Sequence, residues 1–310
     1  MHRASRSRLR SALLPWLLFG ACAAPAVRDA RPASTQEALG LPPEVVLPAW
    51  AEALAPSLPT TTFQLLALEH RQRAAHPLGP AVSALVRQAV ARHLACPSTL
   101  RTAERDLAAV PASARDAAGE SIAVAFAAAM AAAPQSIPDD VFHAAEARFG
   151  AAGVVAVVHT VAYANFQARL QHGLGVADAT AAPCPPSLDG ITPPKTPAPE
   201  RAVAAAPSTS LAPARWESIA ADELQSLRVR QQQATPRLPP PSDELLARAS
   251  ERERGQAARI VWSRFGYGYQ PELTRGWITS LYAFYAEAKV DPVVENSLFW
   301  VVTRSNDCFY

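Results

Sequence analysis

The chain has 310 residues, 49% hydrophobic and 18% charged, with a formal net charge of +2 at neutral pH. That length can bury one or two ordinary cores, and so small a net charge gives no basic face for nucleic acid. Proline is frequent (29) and glycine sparse (13), which suits helices broken by proline-rich connections better than a β-sandwich.

Arg3, Arg6, Arg8 and Arg10 precede an apolar run at 12–20, and Gly20, Ala21 and Cys22 follow. A positive n-region, a short apolar h-region and small residues before a cut are the plan of a signal peptide, expected here over residues 1–26. Cleavage before Cys22 would leave that thiol to carry a lipid, the only expected tie to a membrane. Cleavage after Ala24-Pro25-Ala26 would give soluble export to the periplasm or beyond. The alternative is a mis-chosen start before an Ala/Arg leader, and a cytoplasmic protein. The run at 122–133 is too short to span a bilayer, and 154–166 contains His159 and Asn165.

After a polar lead-in at 27–41, a short helix is expected at 44–55, carrying Val45, Val46, Trp50 and Leu54. Thr60–62 caps a helix with Phe63, Leu65, Leu66 and Leu68 facing inward. Pro80 opens a long buried helix on which Val82, Leu85, Val86, Ala89, Val90 and His93 recur at helical spacing, ending near Cys96-Pro97. Further helices are expected at 99–110, at 116–133, from Pro138 to a stop at Gly150, and at 151–174. His93 and His159 fall on apolar helix faces and read as core histidines, whereas His70 and His76 read as solvated. Residues 41–176 are thus expected to form a compact all-α domain. The stretch 177–213 is Pro-, Ser- and Ala-rich and reads as a linker. Helices resume at 215–233, restart at the Ser242 cap through 265, pause in a loop at 266–269 and continue over 271–288. Asp291 and Pro292 then start a last apolar helix that leads to Cys308.

The four cysteines (Cys22, Cys96, Cys184, Cys308) are too sparse for a disulfide framework. Seven scattered histidines give no zinc or haem spacing, and there is no Gly-rich phosphate loop or Ser/His/Asp arrangement, so no metal or cofactor is expected.

An offset of 212 residues aligns Trp50 with Trp262, Pro59 with Pro271, Thr62 with Thr274, Pro80 with Pro292, Arg92 with Arg304 and Cys96 with Cys308. The competing reading is two amphipathic helices in coincidental register. The prolines and the cysteine fix spacing independently of hydrophobic pattern, and that favours a duplication.

The segment 292–310, PVVENSLFWVVTRSNDCFY, is a buried-type helix delivering a Cys-aromatic-aromatic turn. It resembles the thiol motif of the carboxymuconolactone decarboxylase and alkyl hydroperoxidase D-like family, in which such a helix leads into Cys-x-x-Cys. The block VRQAVARHLACPSTLRTAERDL (86–107) stands where that family has its motif helix and the next one. VVHTVAYANFQARLQHGLGV (157–176) is similar to its closing helix, with Asn165 and Arg169 in the Asn-x-x-x-Arg part. The resemblance implies an alkyl hydroperoxidase D-like helical bundle, duplicated. Residues 215–310 would be the first part of a second copy, cut within its Cys motif. Its activity would be a thiol-dependent peroxidase using peroxide or a small organic substrate and a thiol reductant, in a homo-oligomer. One thiolate would attack the O–O bond, and a neighbouring Cys would condense with the sulfenic acid to a disulfide.

The residues fit that chemistry only in part. In the first copy Thr99 stands where the second Cys belongs, and Ala84 stands where the family has a relay Glu. The plain reading of Cys96 is a small buried side chain. In the second copy Cys308 takes the first motif position, and Asn296, beside Glu295, occupies the Glu position. Peroxidase activity is therefore not expected of these 310 residues. The alternatives are a Cys-independent decarboxylase-like domain or a catalytically inactive helical binding or interaction protein.

Overall fold

The computed structural model describes residues 34–194, 225–226, 229, 235–258, 260–288, 290–291 and 293–298. The fold is all-α, and no strand occurs among the described residues. The helices are α1 (Thr35–Ala38), α2 (Ala49–Leu54), α3 (Pro59–Arg73), α4 (Gly79–His93), α5 (Pro97–Ala108), α6 (Ala117–Ala132) and α7 (Asp139–Gly173). After the Pro-rich stretch come α8 (Asp243–Leu246), α9 (Glu251–Ala257), α10 (Val261–Tyr269) and α11 (Pro271–Glu287).

Local chemistry sets these boundaries. Helices α3, α4, α5 and α11 each carry Pro in the first turn, where a fixed φ helps and a missing N–H costs nothing. Ser242 caps α8, and Ser250 with Glu253 forms a capping box on α9. Asp291 Oδ1 accepts from Val293 N at 2.8 Å and starts a final described turn at 293–298. Gly150, at φ 64° and ψ 178°, breaks α7 into two helical halves, the stop predicted from its sequence.

The second half of α7 is the wall shared by two cores. One of its faces gives Tyr163, with Phe166 and Leu170, to a core built from Leu41, Trp50, Phe63, Leu65, Leu66 and Leu68. The other gives Val154, Val157, Val161 and Ala164 to a core with Val82, Val86 and Val90 of α4 and Phe126 of α6. By length and composition α7 is the one described helix apolar enough to cross a membrane. In this fold that apolarity serves two cores at once.

Helix α11 lies antiparallel along α3. Its last residue, Glu287, accepts from the backbone amides of Thr60 (2.7 Å) and Thr61 (2.6 Å), capping an α3 N-terminus that has no local side-chain cap. Gly276 passes so close to Leu68 that a Cβ there would lie 2.9 Å from Leu68 Cδ1. Trp277 packs edge-on to Phe166 and Tyr163, at centroid distances of 5.4 and 6.5 Å.

The structure corrects several expectations. The described helices after 235 pack on those of 41–176, α11 against α3 and α7, through Glu287 on Thr60 and Thr274 on His159. The expected linker is an ordered strap over 177–194. Its carbonyls are held by Ser98 N and by Arg101, Arg105, Arg73 and His70, and its Leu188 is buried in the first core. Side-chain donors on neighbouring helices replace the apolar bulk that the strap itself lacks. The remainder of that stretch, 195–213, and most of 215–233 lie outside the described residues. The helix expected at 44–55 is confined to Ala49–Leu54, with Val46 exposed. The span 242–265 holds α8, α9 and the first part of α10. The loop expected at 266–269 is helical because its glycines serve close packing: a Cβ on Gly266 would lie 2.6 Å from Thr274 Oγ1, and one on Gly268 would collide with Pro241. His93 is exposed and His76 is buried, the reverse of their periodicity reading.

Candidate functional site

Cys96 sits where α4 hands over to α5. Helix α4 ends in a Schellman turn, with Ala95 N on Arg92 O and Cys96 N on Ala91 O. That turn puts Ala95 at φ 50°, a left-handed backbone that glycine usually supplies. Cys96 is then the N-cap residue of α5, with Pro97 first in the helix. Its thiol is 1% exposed and lies 3.3 Å from Thr99 Oγ1, which also accepts from Gln171 Nε2 at 3.1 Å. Cysteine and threonine thus stand one turn apart at the start of a helix, packed against the end of α7.

Beside them is a buried charge cluster. Glu69 and Arg73, four residues apart on α3, share a face, and Arg73 Nη1 donates to Glu69 Oε1 at 2.6 Å. Arg73 also forks onto Asp106 of α5, Nε to Oδ2 at 2.7 Å and Nη2 to Oδ1 at 2.8 Å. Arg87 of α4 reaches Asp106 Oδ2 at 2.7 Å, and Trp50 Nε1 donates to Glu69 Oε2 at 3.1 Å. Burial opposes the charge on Arg73, yet the Asp106 bond and the Glu69 and Asp106 charges hold its pKa above the ordinary guanidinium value. Burial likewise works against the Asp106 carboxylate, and its Arg73 hydrogen bond and the Arg87 charge overcome this and lower its pKa. Tyr163 is pushed well above the usual phenol range by burial and then by Glu69.

Glu69, Arg73 and Arg87 line a cavity of about 30 Å³, partly open to solvent, together with Trp50, Thr99, Tyr163, Gln167 and Gln171 and with Thr180 and Ala182 of the strap. Gln167 is 3% exposed, and neither its Nε2 nor its Oε1 has a hydrogen-bond partner.

A second polar set lies on α7. His76 Nδ1 accepts from Leu78 N at 3.2 Å, which leaves Nε2–H to donate to Thr160 Oγ1 at 2.7 Å. His159 Nε2 meets Thr274 Oγ1 of α11 at 3.2 Å. Burial lowers both histidines to about 4, and for His76 the Arg87 and His159 charges add to it. They are neutral structural imidazoles.

The sequence-derived site residues scatter. Cys22 and Cys308 lie outside the described residues. Cys184, on the strap, has a thiol pushed up to about 11 by burial, so at neutral pH it carries almost no thiolate. Ala84 is buried in α4, while Asn296 is exposed. Asn165 and Arg169 pair with each other at 2.7 Å on the outer side of α7, away from the cavity. The cluster at Glu69, Arg73, Arg87 and Asp106 was missed by periodicity. Its one sequence trace is the Glu69/Arg73 spacing on a helix that also carries the inward row Phe63, Leu65, Leu66 and Leu68. Among the described residues no group of His, Cys, Asp and Glu has the arrangement of a metal site. No protein-family model, no curated protein and no solved structure matches this chain.

Proposed function

We propose that this protein is a helical binding protein of the carboxymuconolactone decarboxylase-like type, in which thiol redox chemistry has been given up at the first copy. The observation that carries the reading is the Cys96–Thr99 pair. Thr99 Oγ1 lies 3.3 Å from the thiol, at the place of the motif's second cysteine. A hydroxyl forms no disulfide, and the thiol is sealed from solvent. The polar cavity next to Thr99 is then the place for a ligand. The likeness in plan rests on a buried helix that feeds a Cys-x-x-Thr at the next helix start.

Peroxide consumption with a dithiol reductant tests this directly. The full chain should show no turnover above that of a free thiol, and Cys96→Ser should change nothing. Turnover abolished by Cys308→Ser would establish the peroxidase reading in its place. The Arg-rich leader supports export with lipid on Cys22. Acyl labelling that survives Cys22→Ser would refute that location.

A further inference from the structure

A second cavity lies where α4 begins. It holds about 190 Å³, is partly open to solvent and shares no lining residue with the cavity at Thr99. The start of α4 lines it with Leu78, Pro80, Ala81 and Val82, α7 with Phe149, and the turn before α6 with the exposed Ala114. Glycine builds these walls. Gly79, at φ 82°, makes the left-handed turn that carries the chain from Leu78 into α4. A Cβ on Gly153 would collide with Phe149 and lie 3.4 Å from Leu78 Cδ2. The bare backbone there lets Phe149 fold back past the Gly150 break, and Phe149 and Leu78 both pack on the second core.

The charges that reach the cavity are already paired. Arg148 holds Asp116, and Arg115 holds Glu120 at 2.6 Å, so none is left over to attract an ion. An ion entering here would give up its hydration without a free partner. Water against the apolar side chains finds few hydrogen bonds, and exchanging it for an apolar body is favourable. Size then sets the occupant. An apolar cavity of about 150 Å³ takes up benzene, and this one is larger.

We propose that this cavity is a binding site for a compact uncharged ring, the size of benzene or phenol, held by Leu78, Val82 and Phe149. It is a site additional to the one at Thr99 and does not depend on the role assigned there.

The test titrates the full chain with phenol and with benzoate, the same ring uncharged and anionic at neutral pH. The methyl NMR signals of Leu78, Ala81 and Val82 report binding. Phenol should shift them saturably, with benzoate at least ten-fold weaker. Ala114 is exposed, so Ala114→Trp can fill the cavity without entering the core. That variant should lose at least ten-fold in phenol affinity and keep its melting temperature. Equal or tighter binding of benzoate overturns the ligand class. Shifts that do not saturate, or that centre on the Thr99 cavity instead, overturn the site. Unchanged phenol affinity in a folded Ala114→Trp also overturns it. The wild-type shifts decide the matter even if the Trp variant is unstable. A Thr99 cavity that takes no ligand would defeat the function proposed above and leave these results as they are.

Discussion

Helices α3 and α11 occupy matching positions under the 212-residue offset, and their beginnings are nearly superimposable in backbone terms. The N-cap of α3, Leu58, has φ −137° and ψ 63°, and that of α11, Gln270, has φ −139° and ψ 64°. Thr62 and Thr274 each bond back to the N-cap carbonyl at 2.8 Å. Beyond that point the two diverge. Trp50 is 3% exposed and donates to Glu69, whereas its counterpart Trp262 is 47% exposed. Where α3 has Glu69 and Arg73, α11 has Leu281 and Tyr285, exposed by 43% and 54%. The inversion is instructive: the buried face is the charged one and the exposed face is apolar. Helices α4 and α5 cover the α3 face and bring Arg87 and Asp106 with them, so its charges are paired. What decides the character of each face is the element laid over it.

The largest effect should come from breaking the covered face. Asp106→Ala would leave Arg73 and Arg87 short of their shared carboxylate in the interior, and such a loss costs about 3–5 kcal/mol. The ion pair of the later helices, Arg275 with Glu253 at 2.8 Å, is partly solvated, and Glu253→Ala should cost only about 1 kcal/mol. Urea denaturation of both variants measures the gap. Equal losses would mean that the two regions are not differently buried.

Acid should act next, through the two neutral histidines. Each has a folded pKa of about 4 against an ordinary value of 6.5. A depressed folded pKa gives stability that is present above pH 6.5 and lost as pH falls from there to 4. Each group puts on the order of 3 kcal/mol at stake over that window. His76 lies within the first region, and His159 joins α7 to α11 through Thr274. Asp106, also depressed, adds its loss only below the ordinary carboxylate range. Thermal melts from pH 7.5 to 4 should therefore fall early. His159→Gln and His76→Gln should each flatten the curve, and a flat wild-type profile down to pH 4 would refute the assignment.

The all-α class, the Gly150 break, the Pro271 start and the Ser242 cap were legible because each is a local signal, a period or a capping residue. The inward rows Phe63, Leu65, Leu66, Leu68 and Val82, Val86, Val90 followed from the same periodicity. The site was not legible. Arg73 and Arg87 look solvated on any helical wheel, and only the return of α5 with Asp106 makes them interior. Gln167, on the polar side of the sequence pattern, is buried in the fold. Glu287 gave no sign that it would cap a helix 226 residues earlier. Long-range pairings of this kind leave no period in either partner.

The smallest effect is the sharpest check on the comparison. Leu281→Glu with Tyr285→Arg would place on α11 the same Glu–Arg pair, four residues apart, that α3 carries at 69 and 73. On α3 that pair is 1–5% exposed and bound into Asp106. On α11 it would face water, where an i,i+4 pair with Glu on the N-terminal side contributes about 0.3–0.5 kcal/mol. Removing two half-exposed apolar side chains forfeits a similarly small burial, so the net change should stay within about 0.5 kcal/mol. Solubility should rise as the exposed apolar face shrinks. A loss above about 2 kcal/mol in urea would mean that this face of α11 is covered in solution as α3 is. In that case the contrast between the two helices would be one of partner and not of burial.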